Sequence, residues 1–323
     1  MLYPLTFQPI FKERVWGGRS LARLYGKNLP PGAPIGESWE ISDRPGNANI
    51  ITNGPLAGKN LRWLMENHGR ELLGSAKSPA GRFPLLLKIL DAQKNLSLQV
   101  HPPAHQAAEL GGEPKTEMWY VADAAPGAEL FVGLKRGTTR ADFEHKLRDG
   151  AVADCFHRVP VRAGDAIFLP SGRVHAIGEG LVIFEIQQSS DTTYRVFDWN
   201  RVGLDGQPRE LHVVESLASI DFNDFEPALV ASASGGDAST QLRPLVQDPL
   251  FAVEILQMAA GTDRPLKPRT MQIIACVSGK LSVDCGAAII ERSAGEFCLV
   301  PAGLDAAILH ARTAVTLLRV EAG

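Results

Sequence analysis

Gln99 and His101 stand two residues apart in the stretch Leu98-Gln99-Val100-His101-Pro102. In an extended strand, positions i and i+2 point to the same face. A strand here would present an amide oxygen and an imidazole side by side, and both donors suit zinc. Two donors do not hold an ion, so others must converge from elsewhere in the chain. Glu117 and His175 supply the required side-chain types. In Lys115-Thr116-Glu117-Met118-Trp119-Tyr120-Val121, the same alternation puts Lys115, Glu117 and Trp119 on one face, with Met118 and Tyr120 on the other. Two imidazoles, one carboxylate and one amide oxygen make a zinc set that leaves positions for water or substrate. Other divalent ions with mixed nitrogen and oxygen preference share it. A lone Gln-x-His would be no more than two polar side chains on a surface strand. His68, His105, His145 and His157 have no such company and read as surface or outer-layer residues.

A second chemical feature is Lys88, inside the apolar run Pro84-Leu85-Leu86-Leu87-Lys88-Ile89-Leu90-Asp91. A buried lysine is costly unless its ammonium reaches a partner, a ligand or a cavity. The alternative is an edge strand from which the side chain snorkels to water. Trp16, ahead of Gly17-Gly18, can either stack on a sugar face or plug the end of a core.

These residues need a β framework. Turn formers crowd residues 1–50, with a short strand at Trp39–Ser42. Leu61, Leu64, Met65, Leu72 and Leu73 partly follow helical spacing over 60–73, with Gly74 as the stop. One or two helical turns are expected over 103–110, and a helix from Thr138 to Arg148. Strands are expected over 83–91, 96–101, 115–121 and 128–134. Short strands then follow at close intervals at 159–161, 166–169, 174–177 and 181–187, the rhythm of a sandwich or barrel. Residues 230–240, VASASGGDAST, read as a linker. Strands resume at 251–257, 272–277, 280–284, 297–300 and 314–320.

Composition narrows the partners. The chain has 323 residues, long enough for about two domains, with 45% hydrophobic and 21% charged residues. A net charge of −3 and the absence of a basic block argue against nucleic acid and anionic membranes. The first residues, MLYPLTFQPIFKERVWGG, do not form a signal peptide, and no apolar run is long enough to span a bilayer. Cys155, Cys276, Cys285 and Cys298 form no C-x-x-C pair and fit small core residues in a reducing cytoplasm. Nothing in the pattern specifies an oligomeric state.

An internal repeat organises the chain. Gly164-Asp165-Ala-Ile-Phe-Leu-Pro170-Ser-Gly172-Arg-Val-His175 has a counterpart displaced by 131 residues (164 to 295), Gly295-Glu296-Phe-Cys-Leu-Val-Pro301-Ala-Gly303-Leu-Asp-Ala306. Gly-acid turns into a strand, the apolar run crosses a core, and Pro-x-Gly turns out. The pattern resembles the second motif of the cupin family, small antiparallel barrels that often hold a metal. Where the first copy has His175 the second has Ala306, and it has no upstream Gln-x-His. The expectation is a mainly β chain of two cupin-type (jelly-roll) β-barrels with a few covering helices. Residues 1–230 would be the catalytic, metal-binding domain, and 231–323 a degenerate cupin without metal.

A more specific resemblance rests on Leu96-Ser97-Leu98-Gln99-Val100-His101-Pro102, Lys115-Thr116-Glu117-Met118-Trp119 and Ser171-Gly172-Arg173-Val174-His175-Ala176-Ile177-Gly178. Gln187-Gln188-Ser189-Ser190-Asp191-Thr192-Thr193-Tyr194-Arg195-Val196-Phe197-Asp198-Trp199 adds to it, with Arg14-Val15-Trp16-Gly17-Gly18 and Gly36-Glu37-Ser38-Trp39-Glu40 near the N-terminus. The chain resembles type I, zinc-dependent mannose-6-phosphate isomerases in their short form. The likeness is strong to about residue 200 and weaker beyond. The helical insertion that larger members carry between the Glu and His ligands is absent or vestigial, since only positions 118–174 intervene.

The resemblance implies reversible conversion of mannose 6-phosphate and fructose 6-phosphate through a cis-enediolate, with one zinc per chain on Gln99, His101, Glu117 and His175. It also implies that Lys115 and Arg195 line the substrate cleft, that Lys88 is a proton carrier and that Asp191 helps ring opening. A lysine base needs a lowered pKa, and Lys88 in its apolar strand or Lys115 beside Glu117 could each meet that need. Arg195 and Ser97 are the expected phosphate contacts, because a guanidinium forks onto phosphate oxygens; a pairing of Arg195 with Asp191 is the plainer alternative. Trp16 joins the substrate contacts. Two other readings share these residues: an isomerase of another sugar phosphate, and a metal-bearing sugar-phosphate binding protein without turnover. The second has no use for the two lysines.

Overall fold

A computed structural model describes residues 2–231, 235–237, 239–267 and 269–323. The alternation of apolar residues becomes four layers of β-sheet. One six-stranded sheet runs in the order β1-β2-β5-β12-β7-β10. Its strands are β1 (Ile10–Gly18), β2 (Ile35–Ile41), β5 (Leu85–Ala92), β7 (Glu117–Ala124), β10 (Ala166–Leu169) and β12 (Leu181–Gln188). A two-residue ribbon, β3 (Asp43–Arg44) with β4 (Asn47–Ala48), follows β2. A five-stranded sheet, β13-β6-β11-β8-β9, faces the larger one. It comprises β6 (Leu98–Val100), β8 (Glu129–Leu134), β9 (Phe156–Pro160), β11 (His175–Ile177) and β13 (Tyr194–Phe197).

The C-terminal part repeats this plan. Its larger sheet, β14-β15-β16-β23-β18-β21, contains β14 (Gly235–Gly236), β15 (Thr240–Gln247), β16 (Phe251–Met258), β18 (Gln272–Ser278), β21 (Phe297–Val300) and β23 (Val315–Ala322). Its smaller sheet, β17-β22-β19-β20, contains β17 (Asp263–Leu266), β19 (Lys280–Asp284), β20 (Ile289–Ser293) and β22 (Ala307–Ala311). The 131-residue displacement carries β10 onto β21 residue for residue (166 to 297), so the sequence repeat is a repeat of strands. Of the expected linker, residues 232–234 and 238 lie outside the described residues, and Gly235–Gly236 is drawn into the sheet as β14.

Three apolar cores separate the layers. Trp16, Leu90, Trp119, Val121, Leu130 and Ile183 fill the space between the first two sheets. Leu256, Ile274, Leu281, Val283, Leu309 and Leu317 do the same in the C-terminal pair. The largest cluster lies between the two six-stranded sheets, where Leu87, Ile89, Met118 and Phe184 meet Phe251, Ile273, Phe297 and Leu318. Strand β5 is therefore buried on both faces, which is why it reads as a continuous apolar run rather than an alternating one. Each side chain so buried contributes roughly 1.5–3 kcal/mol.

Helix α1 (Ser20–Tyr25) follows β1. Helix α2 (Leu61–Leu73) starts where the Asn60 side chain accepts from Trp63 N at 2.8 Å, and buries Leu61, Leu64, Met65, Leu72 and Leu73. It ends at Gly74, with φ of 64°, where a Cβ would stand 2.5 Å from the Arg269 carbonyl oxygen. Helix α3 (Arg140–Arg148) has a Thr139–Asp142 capping box and buries Phe143. It covers the outer face of the five-stranded sheet with α4 (Val213–Ser219). The helix expected over 103–110 is instead a run of turns. Bonds from Ala107 N to Pro103 O and from Leu110 N to Gln106 O form, but the segment is too short to propagate a helix before Gly111-Gly112. Among the described residues, no helix is long and apolar enough to cross a membrane.

Candidate metal centre and cleft

His175 opens β11 and lies directly opposite Gln99 on β6. His101 immediately follows β6, and Glu117 opens β7 in the facing sheet. The four expected ligands therefore meet at one end of the space between the two sheets. His101 Nε2 lies 3.5 Å from Glu117 Oε2, and His175 Nε2 lies 3.3 Å from Glu117 Oε1. The Gln99 amide nitrogen is 3.2 Å from His175 Nε2. Amide oxygen and nitrogen are interchangeable by rotation, so Gln99 can turn its oxygen to the same point.

Both imidazoles are set by backbone carbonyls. His101 Nδ1 is 2.8 Å from Thr192 O, and His175 Nδ1 is 2.9 Å from Arg173 O. A carbonyl accepts, so Nδ1 carries the proton and Nε2 turns its lone pair toward Glu117. Burial and the nearby Lys115 ammonium push the His101 pKa down to about 3, against the pull of Glu117. Burial lowers His175 as well. Both rings are thus neutral, as a metal requires.

Burial alone would raise the Glu117 carboxyl, yet Lys115 and the two imidazoles hold it well below the usual carboxylate range. Both Glu117 oxygens are shielded from water; Oε2 meets the Lys115 ammonium at 2.7 Å, while Oε1 faces the unprotonated Nε2 of His175 at 3.3 Å. A carboxylate oxygen left facing a nitrogen lone pair in the interior is costly unless a cation sits between them. Together with two inward nitrogen lone pairs, it makes a donor set that fits a divalent metal. Among the described residues, His101, Glu117 and His175 are the one cluster of three such groups. The C-terminal counterpart of this space is lined by Leu256, Leu266, Leu281 and Ala307, and Ala306 is exposed. Elemental analysis of zinc-loaded protein should therefore give about one tightly held metal per chain, as four donors and one site require; two would overturn the assignment.

A cleft of about 580 Å³ opens beside the cage. Gln99, Lys115, Lys88, Asp191, Arg195, Ser97 and Trp16 all line it, so every residue singled out in the sequence lies either in the cage or on its doorstep. Trp16 is 3% exposed and packs in the inter-sheet core while lining the cleft. Arg195 does not pair with Asp191; its Nη1 donates to Glu210 O at 2.6 Å. Lys88 sits on the central strand β5, not at an edge, and its ammonium is 3.0 Å from Glu185 Oε1.

Two carboxylates beside these lysines were not singled out as site residues. Glu185 on β12 is opposite Lys88 in register and accepts from the Trp119 indole at 2.9 Å. Glu37 on β2 accepts from Trp39 Nε1 at 2.6 Å and from Arg14 Nε at 2.7 Å, and lies 3.9 Å from Lys88. Burial would raise Glu37, but Lys88, Arg14 and the indole bring it down to about 2. Charges thus alternate across adjacent strands, Glu117, Lys115, Glu185, Lys88, Glu37, Arg14. The carboxylates would have been found by asking which residues stand opposite the buried lysines. Lys115 Nζ is 2.7 Å from Glu117 Oε2 and 4.0 Å from Glu185 Oε1. Burial would lower its pKa, but these carboxylates raise it above the ordinary lysine range.

Comparison with known proteins places these features. Residues 5–149 match the family model described as phosphomannose isomerase type I, catalytic domain. The chain is similar to mannose-6-phosphate isomerase ManA of Bacillus subtilis, 35% identical over 307 residues that cover 93% of this chain and 94% of the relative. It is 35% identical over 302 residues to the mannose-6-phosphate isomerase of Streptococcus mutans, covering 93% of each. The crystal structure of the mannose 6-phosphate isomerase from Bacillus subtilis matches with a TM-score of 0.90 at 28% identity, over 99% of this chain and 100% of that one.

Proposed function

As a member of the type I phosphomannose isomerase family, this chain interconverts mannose 6-phosphate and fructose 6-phosphate, and we propose that it does so with zinc on Gln99, His101, Glu117 and His175. The observation that carries the zinc reading is the buried pair of neutral imidazoles whose Nε2 lone pairs face the Glu117 carboxylate at 3.3 and 3.5 Å, acceptor against acceptor, with only Lys115 as counter-charge. Zinc is the common ion for such a set. When bound, it supplies positive charge that polarises the sugar oxygens at C1 and C2.

The chain's own residues do the rest. Aldose–ketose exchange moves a proton between C2 and C1, and a positioned acid–base group must carry it. Lys88 is the better placed carrier, since its ammonium faces the cleft and contacts no ligand of the cage. Lys115 holds the charge of Glu117 and shapes the cage. Asp191, on the cleft wall, is placed to assist ring opening. Ser97 and Arg195 take the phosphate, and Trp16 borders the sugar. Residues 1–230 form the catalytic unit and 231–323 the supporting one. A cytoplasmic location fits four unpaired cysteines, of which three are buried.

Purified protein should convert mannose 6-phosphate to fructose 6-phosphate, lose activity on chelation and regain it with zinc. Folded, zinc-loaded protein without turnover would favour a binding protein or another sugar phosphate. In Arg195→Ala, KM for mannose 6-phosphate should rise on the order of 10–100-fold, the cost of losing a charged hydrogen-bond donor. Its zinc content should stay at that of the parent; a parallel loss of zinc would show that Arg195 serves the cage instead.

A further inference from the structure

Beyond β13 the chain makes a compact arm whose purpose is not explained by the metal cage. Trp199 and Asn200 take left-handed backbone angles, with φ of 57° and 52°, and the Trp199 indole is pinned to Leu96 O at 2.7 Å. Gly203 N donates to Gln207 O at 2.7 Å, and Gly206 N to Gly203 O at 3.1 Å. The arm thereby folds back on itself and returns Arg209 to the cleft, where Gly203, Leu204, Asp205 and Arg209 all form part of the wall.

The charges of this arm are unevenly placed: counting Arg195, three arginines balance three carboxylates in number, but Asp205 and Glu210 are exposed and Asp198 alone is buried among the guanidinium groups. Asp198, 5% exposed, is gripped by two guanidinium groups. Arg209 donates to it through Nε at 2.7 Å and Nη2 at 2.5 Å. Arg201 donates through Nε at 3.1 Å and Nη2 at 2.8 Å, and its Nη1 is used on Asn95 O at 2.5 Å. Arg201 is therefore committed to the scaffold, whereas Nη1 of Arg209 makes no hydrogen bond among the described residues. Arg195 lies in the same cluster, and its Nε is buried without a hydrogen bond. Burial and the charge of Arg209 both act to lower the Arg195 pKa, the sign of cations held together. Two guanidinium groups hold the one buried carboxylate, and that of Arg195 stands near them. Asp205, also on the wall, caps the Gln207 amide from the exposed rim, and the Glu210 carboxylate faces water. A phosphate monoester carries roughly −1.5 to −2 charges near pH 7 and would meet the guanidinium side of this cluster.

We propose that Arg209, aimed by Asp198, joins Arg195 to form the anion pocket that receives the phosphate of the sugar, so that the 198–210 arm selects phosphorylated over free sugars. This rests on the isomerase reading of the cleft. Arg209 is a binding residue and Asp198 a positioning residue. Bidentate clamping by Asp198 fixes the guanidinium plane before the ligand arrives, which lowers the ordering cost of binding.

The test uses zinc-loaded full-length protein, with mannose 6-phosphate for kinetics and inorganic phosphate for calorimetry. In Arg209→Gln, KM for mannose 6-phosphate and the dissociation constant for inorganic phosphate should both rise on the order of 10–100-fold, with kcat and zinc content near those of the parent. Arg209→Lys should recover part of the loss, as a point charge without the fork. Asp198→Asn should raise KM in the same direction and leave kcat near the parent's, a split that general unfolding would not produce. Unchanged KM and phosphate affinity in both Arg209 variants, with turnover intact, would overturn the anion pocket and leave the isomerase reading standing. Phosphate binding that depends on Arg209 in a protein without turnover would instead uphold the pocket and remove the isomerase reading.

Discussion

Glu117→Gln should strip the chain of its metal and lower turnover by about 10³-fold or more, beyond the roughly 10–100-fold expected when only an outer partner of a metal site is lost. The reason lies in the charge balance of the cage. Its imidazoles are neutral, so Glu117 supplies the only negative charge among the proposed ligands. The amide in its place would leave a dication facing two neutral rings, with the Lys115 ammonium 3.3 Å from His101 Nε2 and only Glu185, 4.0 Å from Lys115, as counter-charge on that side. Metal and ammonium would then compete for the same space. Zinc per chain, measured after gel filtration, should fall from about one to near zero, and added zinc should restore little activity. A variant that keeps its zinc and the parent's turnover would show that Glu117 is not a ligand.

Lys88→Met should keep its zinc yet lose roughly 10²–10⁴-fold in kcat, the usual worth of a positioned acid–base group. The side chain is buried mid-sheet and its ammonium neutralises Glu185 while also approaching Glu37. Breaking a buried pair by removing one partner costs about 3–5 kcal/mol. Here the lower end applies, because Arg14 remains 2.7 Å from Glu37 and Lys115 remains 4.0 Å from Glu185. The variant should therefore fold, with a lowered Tm. Lys115→Met differs in kind, because its partner is the cage carboxylate and zinc affinity should change together with rate. Retention of kcat within about threefold in Lys88→Met, against the 10²–10⁴ expected of an acid–base group, would hand the proton to another residue.

The cage was legible because strand alternation fixes which side chains share a face. Gln99 with His101, and Lys115 with Glu117, follow from a period of two and need no tertiary information. Lys88 was legible by its cost, as a charge inside an apolar run. Its partners were not, since Glu185 and Glu37 become meaningful only once β12 and β2 are known to flank β5. The Asp198 clamp was hidden for the same reason: Arg209 is eleven residues away, and only the fold of the arm brings it back. The repeat was visible as spacing, and the strand order confirms its physical basis. The helix expected over 103–110 failed where local signals were too short to compete with turns.

The cluster between the two larger sheets bears on what the C-terminal part is for. Strand β7 presents Glu117 and Trp119 to the chemistry on one side and Met118 and Tyr120 to that cluster on the other. Phe184 of β12, next to Glu185, stacks on Phe297 with ring centroids 5.6 Å apart. The C-terminal sheet is thus an anvil behind the strands that carry the proposed ligands. A chain ended at residue 230 would retain every ligand and both lysines, yet turn the apolar back of its main sheet to water. Replacements on the inner sheet of the silent half would be felt as looseness in the distances among catalytic groups, while those on its outer sheet would pass almost unnoticed.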